Sequence, residues 1–213
     1  MSSPETTAST PSSPTEKTPA TAEVAAASED NESSTPAPKR TAQEVIDQNG
    51  NVAGKRFVIT GGYGGIGAAT AIALLQAGGK VIIGGRDKHK LEAFMQQLKE
   101  RHGDNVNGYV LDLADLKSVQ EFAKCVNGNF AHVDVLINNA GVMKCPPSVT
   151  QQGFEMQMGI NVIGHFLLAK LLVEKTHRQV WVSSAGHSMV SFIFGRNGRA
   201  VFCKNQCMFQ LFY

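Results

Sequence analysis

Five glycines fall within residues 61–67, inside the segment ITGGYGGIGAAT that spans residues 59–70. A β-branched run precedes them and an alanine-rich run follows, so the pattern predicts a turn between a strand and a helix. Glycine is costly inside regular structure, but it suits a turn that needs positive φ or a ligand that comes close to the backbone. The free N–H groups and the dipole of a helix N-terminus attract anions, which favours a pyrophosphate group as the ligand. A glycine-rich hairpin without a ligand is the alternative.

The end of the second predicted strand indicates which dinucleotide would bind. Folds that use NAD place a carboxylate there against the ribose 2′-OH, whereas a cation there accommodates the 2′-phosphate of NADP. In VIIGGRD the carboxylate position is Gly85, and Arg86 follows it. We therefore predict NADP rather than NAD. The alternative is that Arg86 is a surface charge and that Asp87 caps the next helix.

Short apolar runs alternate with amphipathic stretches from Thr41 onward, which is typical of βαβ units around a parallel sheet. We predict a doubly wound, Rossmann-like α/β fold with about five parallel strands, at 56–61, 80–85, 106–111, 133–138 and 179–183. The clearest helix lies in DLADLKSVQEFAKCV, with Asp115 as its cap. Five apolar residues at helical spacing should form its buried stripe: Leu116, Val119, Phe122, Ala123 and Val126.

The composition suits one globular domain: 213 residues, 42% hydrophobic, 18% charged, with a net charge of +2. So small a net charge does not favour nucleic acid or an anionic membrane as a partner. No window reaches the roughly 18 consecutive apolar residues of a membrane span. We therefore expect a small molecule or a protein as the partner. A homo- or hetero-oligomer stays open.

The two ends of the chain differ from its middle. Residues 1–40 are rich in Ser, Thr, Pro, Ala and Glu and contain no aromatic residue, which predicts a disordered tail. Residues 41–188 form the predicted nucleotide-binding domain, and residues 189–213 form a divergent tail rich in Phe. Four cysteines without a disulfide-framework spacing or a secretory leader favour a reducing compartment, so we expect a cytoplasmic location. Cys203 and Cys207 lack a second ligand pair, so no metal site is predicted.

The spacing Thr60-Gly61-x-x-x-Gly65-Ile66-Gly67, together with the NNAG motif at residues 138–141, resembles the short-chain dehydrogenases/reductases. The similarity is to the branch that includes retinol dehydrogenases and WW-domain oxidoreductases, and it covers about residues 41–186. It implies an NADP-dependent oxidoreductase that interconverts an alcohol and a carbonyl, with a retinoid, steroid or other lipid-like substrate. The cofactor-binding residues that it implies are Gly61, Tyr63, Gly65, Ile66, Gly67, Arg86, Asp112, Leu113, Asn138, Asn139, Ala140 and Gly141.

Two catalytic residues follow from the same resemblance. Asn161, in GINVIGHF, matches the asparagine that holds a water in the family's proton relay. A satisfied polar residue of the core is the alternative for that position. Ser184, at the end of the fifth predicted strand, matches the serine that hydrogen-bonds the substrate carbonyl. Neither Ser183 nor Ser184 lies in a G-x-S-x-G elbow, so the pattern does not indicate a serine hydrolase.

The family's Tyr-x-x-x-Lys motif does not follow Ser184 in this sequence, where the next tyrosine is the last residue, Tyr213. In the family the tyrosine is the general acid/base, and the lysine lowers its pKa. We therefore expect the C-terminal part of the fold to be missing. A second function hypothesis stays open beside the oxidoreductase: a catalytically silent fragment that binds the dinucleotide. A chain that does not fold stably is a third possibility.

Overall fold

The computed structural model describes residues 40–183 and, beyond them, only residues 193–194 and 200–201. Except for Arg40, the predicted N-terminal tail lies outside the described residues, and so does most of the predicted tail at 189–213. The boundaries of the predicted domain at 41–188 stay a prediction.

Strands and helices alternate along the described residues. The strands are β1 (Arg56–Thr60), β2 (Lys80–Gly85), β3 (Val106–Val110), β4 (Val133–Asn138), β5 (Thr176–Trp181), β6 (Ile193–Phe194) and β7 (Ala200–Val201). The α-helices are α1 (Ala42–Asn49), α2 (Gly65–Gln76), α3 (Lys88–His102), α4 (Leu116–Asn129), α5 (Met156–Met158) and α6 (His165–Leu172). A π-helical segment (Gly159–Gly164) joins α5 to α6, and 3-10 turns lie at Gly103–Asn105 and Val173–Lys175.

Five of these strands form one parallel sheet in the order β3-β2-β1-β4-β5. The strands β6 and β7 pair antiparallel with each other. The chain runs outward from β1 through β2 to β3 and then returns to place β4 on the other side of β1. Such a reversal opens a crevice at the carboxyl ends of the strands on either side of it. The sheet confirms the predicted doubly wound α/β fold with about five parallel strands.

The middle residues of β1 and β2 are apolar on both faces, because helices cover both faces of the sheet there. Phe57 and Ile59 of β1 pack in a cluster with the buried residues of α2 and α3. Val58, which points the other way, packs with those of α4 and α6. Successive side chains of a strand alternate between its faces, so each central strand contributes to two cores. The two cores hold the carboxyl ends of β1 and β4 in fixed positions.

Local predictions match the structure at α4 more closely than at β5. Asp115 caps α4 by accepting a hydrogen bond from the Lys117 N–H (3.0 Å), and the predicted stripe is buried except for Leu116, which is half-buried. The fifth strand was predicted at 179–183 but is Thr176–Trp181. The first residues of β5 are polar and largely exposed, so they lack the apolar run from which a strand is predicted. Among the described residues β5 has a strand neighbour on one side only. The strands β1 and β3 each end one residue before the predicted boundary.

The continuous helical stretch Met156–Lys175 contains α5, the π-helical segment and α6. Within the described residues it is the one helix whose length and mean hydropathy of 1.4 would also suit a membrane span. Ile160, Leu168 and Leu172 are buried in the same cluster as α4 and the sheet. Core helices of globular proteins can share this composition, and 44% of the window is buried within the structure.

Candidate functional site

A cleft of about 540 Å3 opens at the carboxyl ends of β1, β2 and β4, where the strand order reverses. This volume lies in the range of small-molecule and cofactor sites. Ten of the predicted cofactor residues line it: Gly61, Tyr63, Gly65, Ile66, Arg86, Asp112, Leu113, Asn139, Ala140 and Gly141. Gly67, Asn138 and Asn161 are not among its lining residues. The sequence prediction did not include six others: Gly64, Gly84, Gly85, Leu111, Val142 and Ile160.

The glycine turn forms the floor of the cleft at the N-terminus of α2. Gly61 and Gly65 have φ values of +67° and +51°, in the left-handed region that other residues rarely adopt. Gly64 is the N-cap of α2, and no side chain caps the helix there. The first turn of a helix leaves its N–H groups without intrahelical partners. The cleft therefore faces an exposed helix N-terminus that suits an anion.

Gly67 lies behind this turn, where α2 comes close to the neighbouring loop. A Cβ atom at this position would lie 2.5 Å from the Gly61 carbonyl oxygen and 2.6 Å from Asn139 Nδ2. Both distances are shorter than any normal contact. Gly67 thus permits the approach of helix and loop that shapes the floor of the cleft, without lining the cleft itself.

Tyr63, Gly85 and Arg86 meet at the rim of the cleft. A Cβ atom on Gly85 would overlap the Tyr63 ring, and the Tyr63 hydroxyl accepts a hydrogen bond from the Asp87 N–H (3.4 Å). Asp87 also caps α3 by accepting from the Lys90 N–H (3.1 Å), and this bond, above all, lowers the pKa of its carboxyl. Both sequence alternatives are therefore present together: Asp87 is a helix cap, and Arg86 is an exposed cation that lines the cleft.

The turn after β3 supplies Asp112 and Leu113 to the cleft. Asp112 Oδ1 accepts from the Ala114 N–H, and the Asp112 N–H donates to Ser118 Oγ, each at 2.9 Å. Leu113 is buried in the core. These bonds fix the turn, so that a carboxylate and an apolar side chain are held next to each other on one wall.

The segment after β4 is tied to the end of β1. The N–H groups of Asn139 and Ala140 both donate to Thr60 Oγ1, at 2.9 and 3.0 Å, and Asn139 Nδ2 donates to the Thr60 carbonyl at 3.0 Å. Asn138 is fully buried, and its side-chain amide has no hydrogen-bond partner within residues 40–183. The structure thus places Asn139 at the cleft and Asn138 in the interior behind it.

Of the two predicted catalytic residues, the structure describes Asn161 but not Ser184. Asn161 is buried in the π-helical segment, where its Oδ1 accepts from the Val142 N–H and its Nδ2 donates to the Val142 carbonyl, each at 2.9 Å. This pairing accounts for an asparagine in the core, which was the alternative for that position. Its part in a proton relay stays a prediction. Ser184 lies outside the described residues, and Ser183 is exposed beyond the end of β5.

Sequence reasoning missed His165, a fully buried polar residue of α6. Its ring nitrogens lie 2.9 Å from Thr60 Oγ1 and 3.0 Å from the Ile160 carbonyl oxygen. Burial lowers the pKa of His165 from 6.5 to about 4. The one sequence signal was a histidine inside an apolar run. No cluster of three metal-ligating side chains occurs in the described part of the chain, and Cys203 and Cys207 lie outside it.

The sequence model of the short chain dehydrogenase family matches residues 55–187, which include every element that forms the cleft. The chain belongs to this family. Family membership accounts for a glycine turn at the topological switch point of a doubly wound sheet, because this is where such sheets bind a dinucleotide.

The relatives of this family member include retinol dehydrogenases. Retinol dehydrogenase 13 of Homo sapiens is 39% identical over 175 residues, which cover 76% of this chain and 53% of that protein. Retinol dehydrogenase 11 of Homo sapiens is 45% identical over 142 residues, which cover 64% of this chain and 45% of that protein. The chain therefore spans about half the length of the curated relatives it matches.

Solved structures of similar fold cover the same part of the chain. An uncharacterized protein from Mycobacterium paratuberculosis has a TM-score of 0.62 and 38% identity, over 73% of this chain and 54% of that one. The alcohol dehydrogenase of Thermococcus sibiricus, complexed with 5-hydroxy-NADP, has a TM-score of 0.50 and 32% identity, over 57% and 52%. A nicotinamide dinucleotide is the family's cofactor, and the uncapped N-terminus of α2 in a cleft of suitable size fits it.

Proposed function

We propose that this chain binds NADP(H) in the cleft and belongs to an NADP-dependent oxidoreductase. The reaction would interconvert an alcohol and a carbonyl of a retinoid, steroid or other lipid-like substrate. The observation that carries the proposal is the uncapped N-terminus of α2, which opens into the same cleft as Arg86. The retinol dehydrogenase relatives support the substrate class, and the neighbour complexed with 5-hydroxy-NADP supports the cofactor.

The glycine turn would hold the pyrophosphate. Its exposed N–H groups at the start of α2 provide donors, and the positive end of the helix dipole favours the negative charge. Ile66, at 71% exposure, lies beside this position in the cleft and would lose solvent contact when the cofactor binds. Binding would therefore bury an exposed apolar side chain as well as pair the anion.

Three residues at the rim favour the 2′-phosphate. Residue 85 is a glycine and offers no carboxylate to the ribose 2′-OH, and the Tyr63 ring occupies the space that a side chain there would need. The Tyr63 hydroxyl accepts from a backbone N–H, which leaves its own proton available to donate. Arg86 adds a planar guanidinium at the same rim, and guanidinium groups pair well with phosphate. Together they present donors and no carboxylate to the ribose.

The loop at residues 139–142 would hold the nicotinamide end. When bound, the nicotinamide accepts or supplies a hydride at C4. This chain holds the loop from two sides, through Thr60 and through Asn161. In this proposal Ser184 hydrogen-bonds the substrate carbonyl.

Titration of the purified chain with NADPH and with NADH, by calorimetry, tests the cofactor proposal. We expect saturable binding with a lower Kd for NADPH. Arg86→Gln should raise the Kd for NADPH about 10- to 100-fold, because a hydrogen bond to a charged group contributes roughly 1.5–3 kcal/mol. The same variant should leave the Kd for NADH within twofold.

Arg101→Gln is the matched control, because it removes an exposed arginine from the other end of α3. It should change neither Kd by more than twofold. Equal affinity of the unaltered chain for the two nucleotides, or an equal effect of the two arginine variants, would contradict the NADP assignment. No binding of either nucleotide would contradict the proposal as a whole.

A second candidate is nucleotide binding without turnover. No Tyr-x-x-x-Lys motif lies within residues 185–212. Loss of a general acid/base typically costs about 10²- to 10⁴-fold in rate. The test is NADPH oxidation with retinal, with a retinol dehydrogenase assayed in parallel. Turnover within tenfold of that enzyme would exclude the silent fragment, and saturable binding with turnover lower by 10²-fold or more would favour it.

A cytoplasmic location is also part of the proposal. Cys125 and Cys145 are free thiols in the described part of the chain, which supports a reducing compartment. Fractionation of cells that express the tagged chain tests this, and recovery in an organelle or membrane fraction would contradict it.

A further inference from the structure

His165 is a polar side chain with no exposed surface, on a helix that is otherwise apolar on its buried face. A buried polar group is costly unless it is hydrogen-bonded. One ring nitrogen, Nδ1, lies 3.0 Å from the Ile160 carbonyl oxygen, and the other, Nε2, lies 2.9 Å from Thr60 Oγ1. His165 therefore links α6 to the end of β1, and two neighbours of this link, Ile160 and Gly61, line the cleft.

The direction of each hydrogen bond follows from the chemistry of the partners. A carbonyl oxygen only accepts, so the Nδ1 of His165 carries the proton and donates to Ile160. Burial keeps the imidazole neutral, with its pKa lowered to about 4. A neutral imidazole has one N–H, which leaves Nε2 as an acceptor. The Thr60 hydroxyl therefore donates its proton to His165.

This donation determines what the Thr60 oxygen can do on its other side. With its proton directed at His165, Oγ1 has both lone pairs available as acceptors. The N–H groups of Asn139 and Ala140 lie at 2.9 and 3.0 Å from it. The hydroxyl thus makes three hydrogen bonds, the full number that it can make. Without an acceptor at residue 165, the Thr60 proton would lose its partner. Alternatively, the hydroxyl would rotate, and one of the two N–H groups would lose the lone pair to which it donates.

We propose that His165 is a positioning residue for the cofactor loop at residues 139–141, acting through the Thr60 hydroxyl. This inference rests on the proposed function, in which that loop contacts the nicotinamide half of NADP(H). The same helical stretch holds the next residue of the loop, because Asn161 pairs with both backbone groups of Val142. Residues 139–142 are therefore connected to one helical stretch at both ends, directly at Val142 and through Thr60 at Asn139 and Ala140.

The test compares NADPH affinity with stability in matched variants. His165→Leu removes both ring nitrogens and should raise the Kd for NADPH about tenfold. His165→Gln offers an amide oxygen to the Thr60 proton and should keep the Kd within threefold of the unaltered chain. Thr60→Val should match His165→Leu, and the double variant should be no more than threefold weaker than either single one. Such non-additivity is expected when two residues act through one contact.

Leu168→Ala is the control for general destabilisation, because Leu168 is fully buried on the same helix and contributes no polar group. It should lower Tm at least as much as His165→Leu and leave the Kd for NADPH within twofold. If the unaltered chain binds no NADPH, the proposed function is wrong. If it binds and His165→Leu binds within twofold of it, or if Leu168→Ala weakens binding equally, the positioning role is wrong.

A His165→Leu chain that does not fold leaves two variants to decide the question. His165→Gln with a near-normal Kd and Thr60→Val with a tenfold higher one would support the proposal. Equal Kd values for the two would overturn it, and so would a failure of His165→Gln to bind while Thr60→Val binds normally.

Discussion

Acid should destabilise this protein through His165 in a way that can be isolated by substitution. The imidazole is fully buried, and it contacts the Thr60 hydroxyl, the backbone of Ile160 and Asn161, and the Trp181 ring at a centroid distance of 6.3 Å. These groups carry no charge between pH 4 and pH 7. Desolvation is the main cause that lowers the pKa of His165.

The magnitude follows from the two pKa values. In the unfolded chain an imidazole titrates near 6.5, and in the folded chain that of His165 titrates at about 4. At about pH 7.5 and above both states are neutral at this residue, which then contributes nothing to the pH dependence. As the pH falls from 7.5 toward 4, the unfolded state binds a proton that the folded state begins to bind only near pH 4. The free energy of unfolding should therefore fall by about 3 kcal/mol from this residue alone.

The assay is urea unfolding at several pH values between 7.5 and 4, followed by the fluorescence of the single tryptophan, Trp181. The quantity to plot is the free energy of unfolding of the unaltered chain minus that of His165→Leu. Other titrating groups are common to both chains and cancel in the difference. We expect the difference to decrease by about 3 kcal/mol over this range.

Leu168→Ala is again the control, because it removes buried apolar volume without a titrating group. Its difference from the unaltered chain should stay constant with pH, within about 0.5 kcal/mol. A constant difference for His165→Leu as well would refute the reasoning, since it would mean that the imidazole can be protonated in the folded protein without cost.

Three further predictions concern the cleft. Gly67→Ala should lower Tm in a thermal scan and weaken NADPH binding by at least tenfold, because its Cβ would lie 2.6 Å from Asn139 Nδ2; Gly128→Ala, with open space around its Cβ, should do neither. Tyr63→Phe should raise the Kd for NADPH severalfold in calorimetry and leave that for NADH unchanged, and an equal loss for both would exclude a 2′-phosphate contact. Asn161→Leu should lower the free energy of unfolding in urea by about 2 kcal/mol, since both backbone groups of Val142 lose a partner; an unchanged midpoint would contradict this.

Much of the fold could be predicted because its signals lie between near neighbours in the chain. The apolar runs of β1 and β2 and the helical spacing in α4 indicate strands and helices directly. Asp115 could be predicted as a cap because its partner, the Lys117 N–H, is two residues away. The start of β5 could not be predicted, because its polar, exposed first residues lack the apolar run that marks the central strands.

In the candidate site, too, features with a local sequence signal could be predicted, and contacts between distant residues could not. Sequence alone predicted the glycine turn and Arg86, because residue type and order indicate a strand, a turn and a helix N-terminus around an anion, and the family resemblance supplied the NNAG motif. Only the tertiary structure showed that Tyr63 fills the space at Gly85 and that Asn139, rather than Asn138, reaches Thr60. Only the tertiary structure, likewise, joined His165 to Thr60, which is 105 residues away in the chain. Such contacts exist only once the packing of helices on the sheet has fixed which distant side chains meet, and no local pattern records that choice.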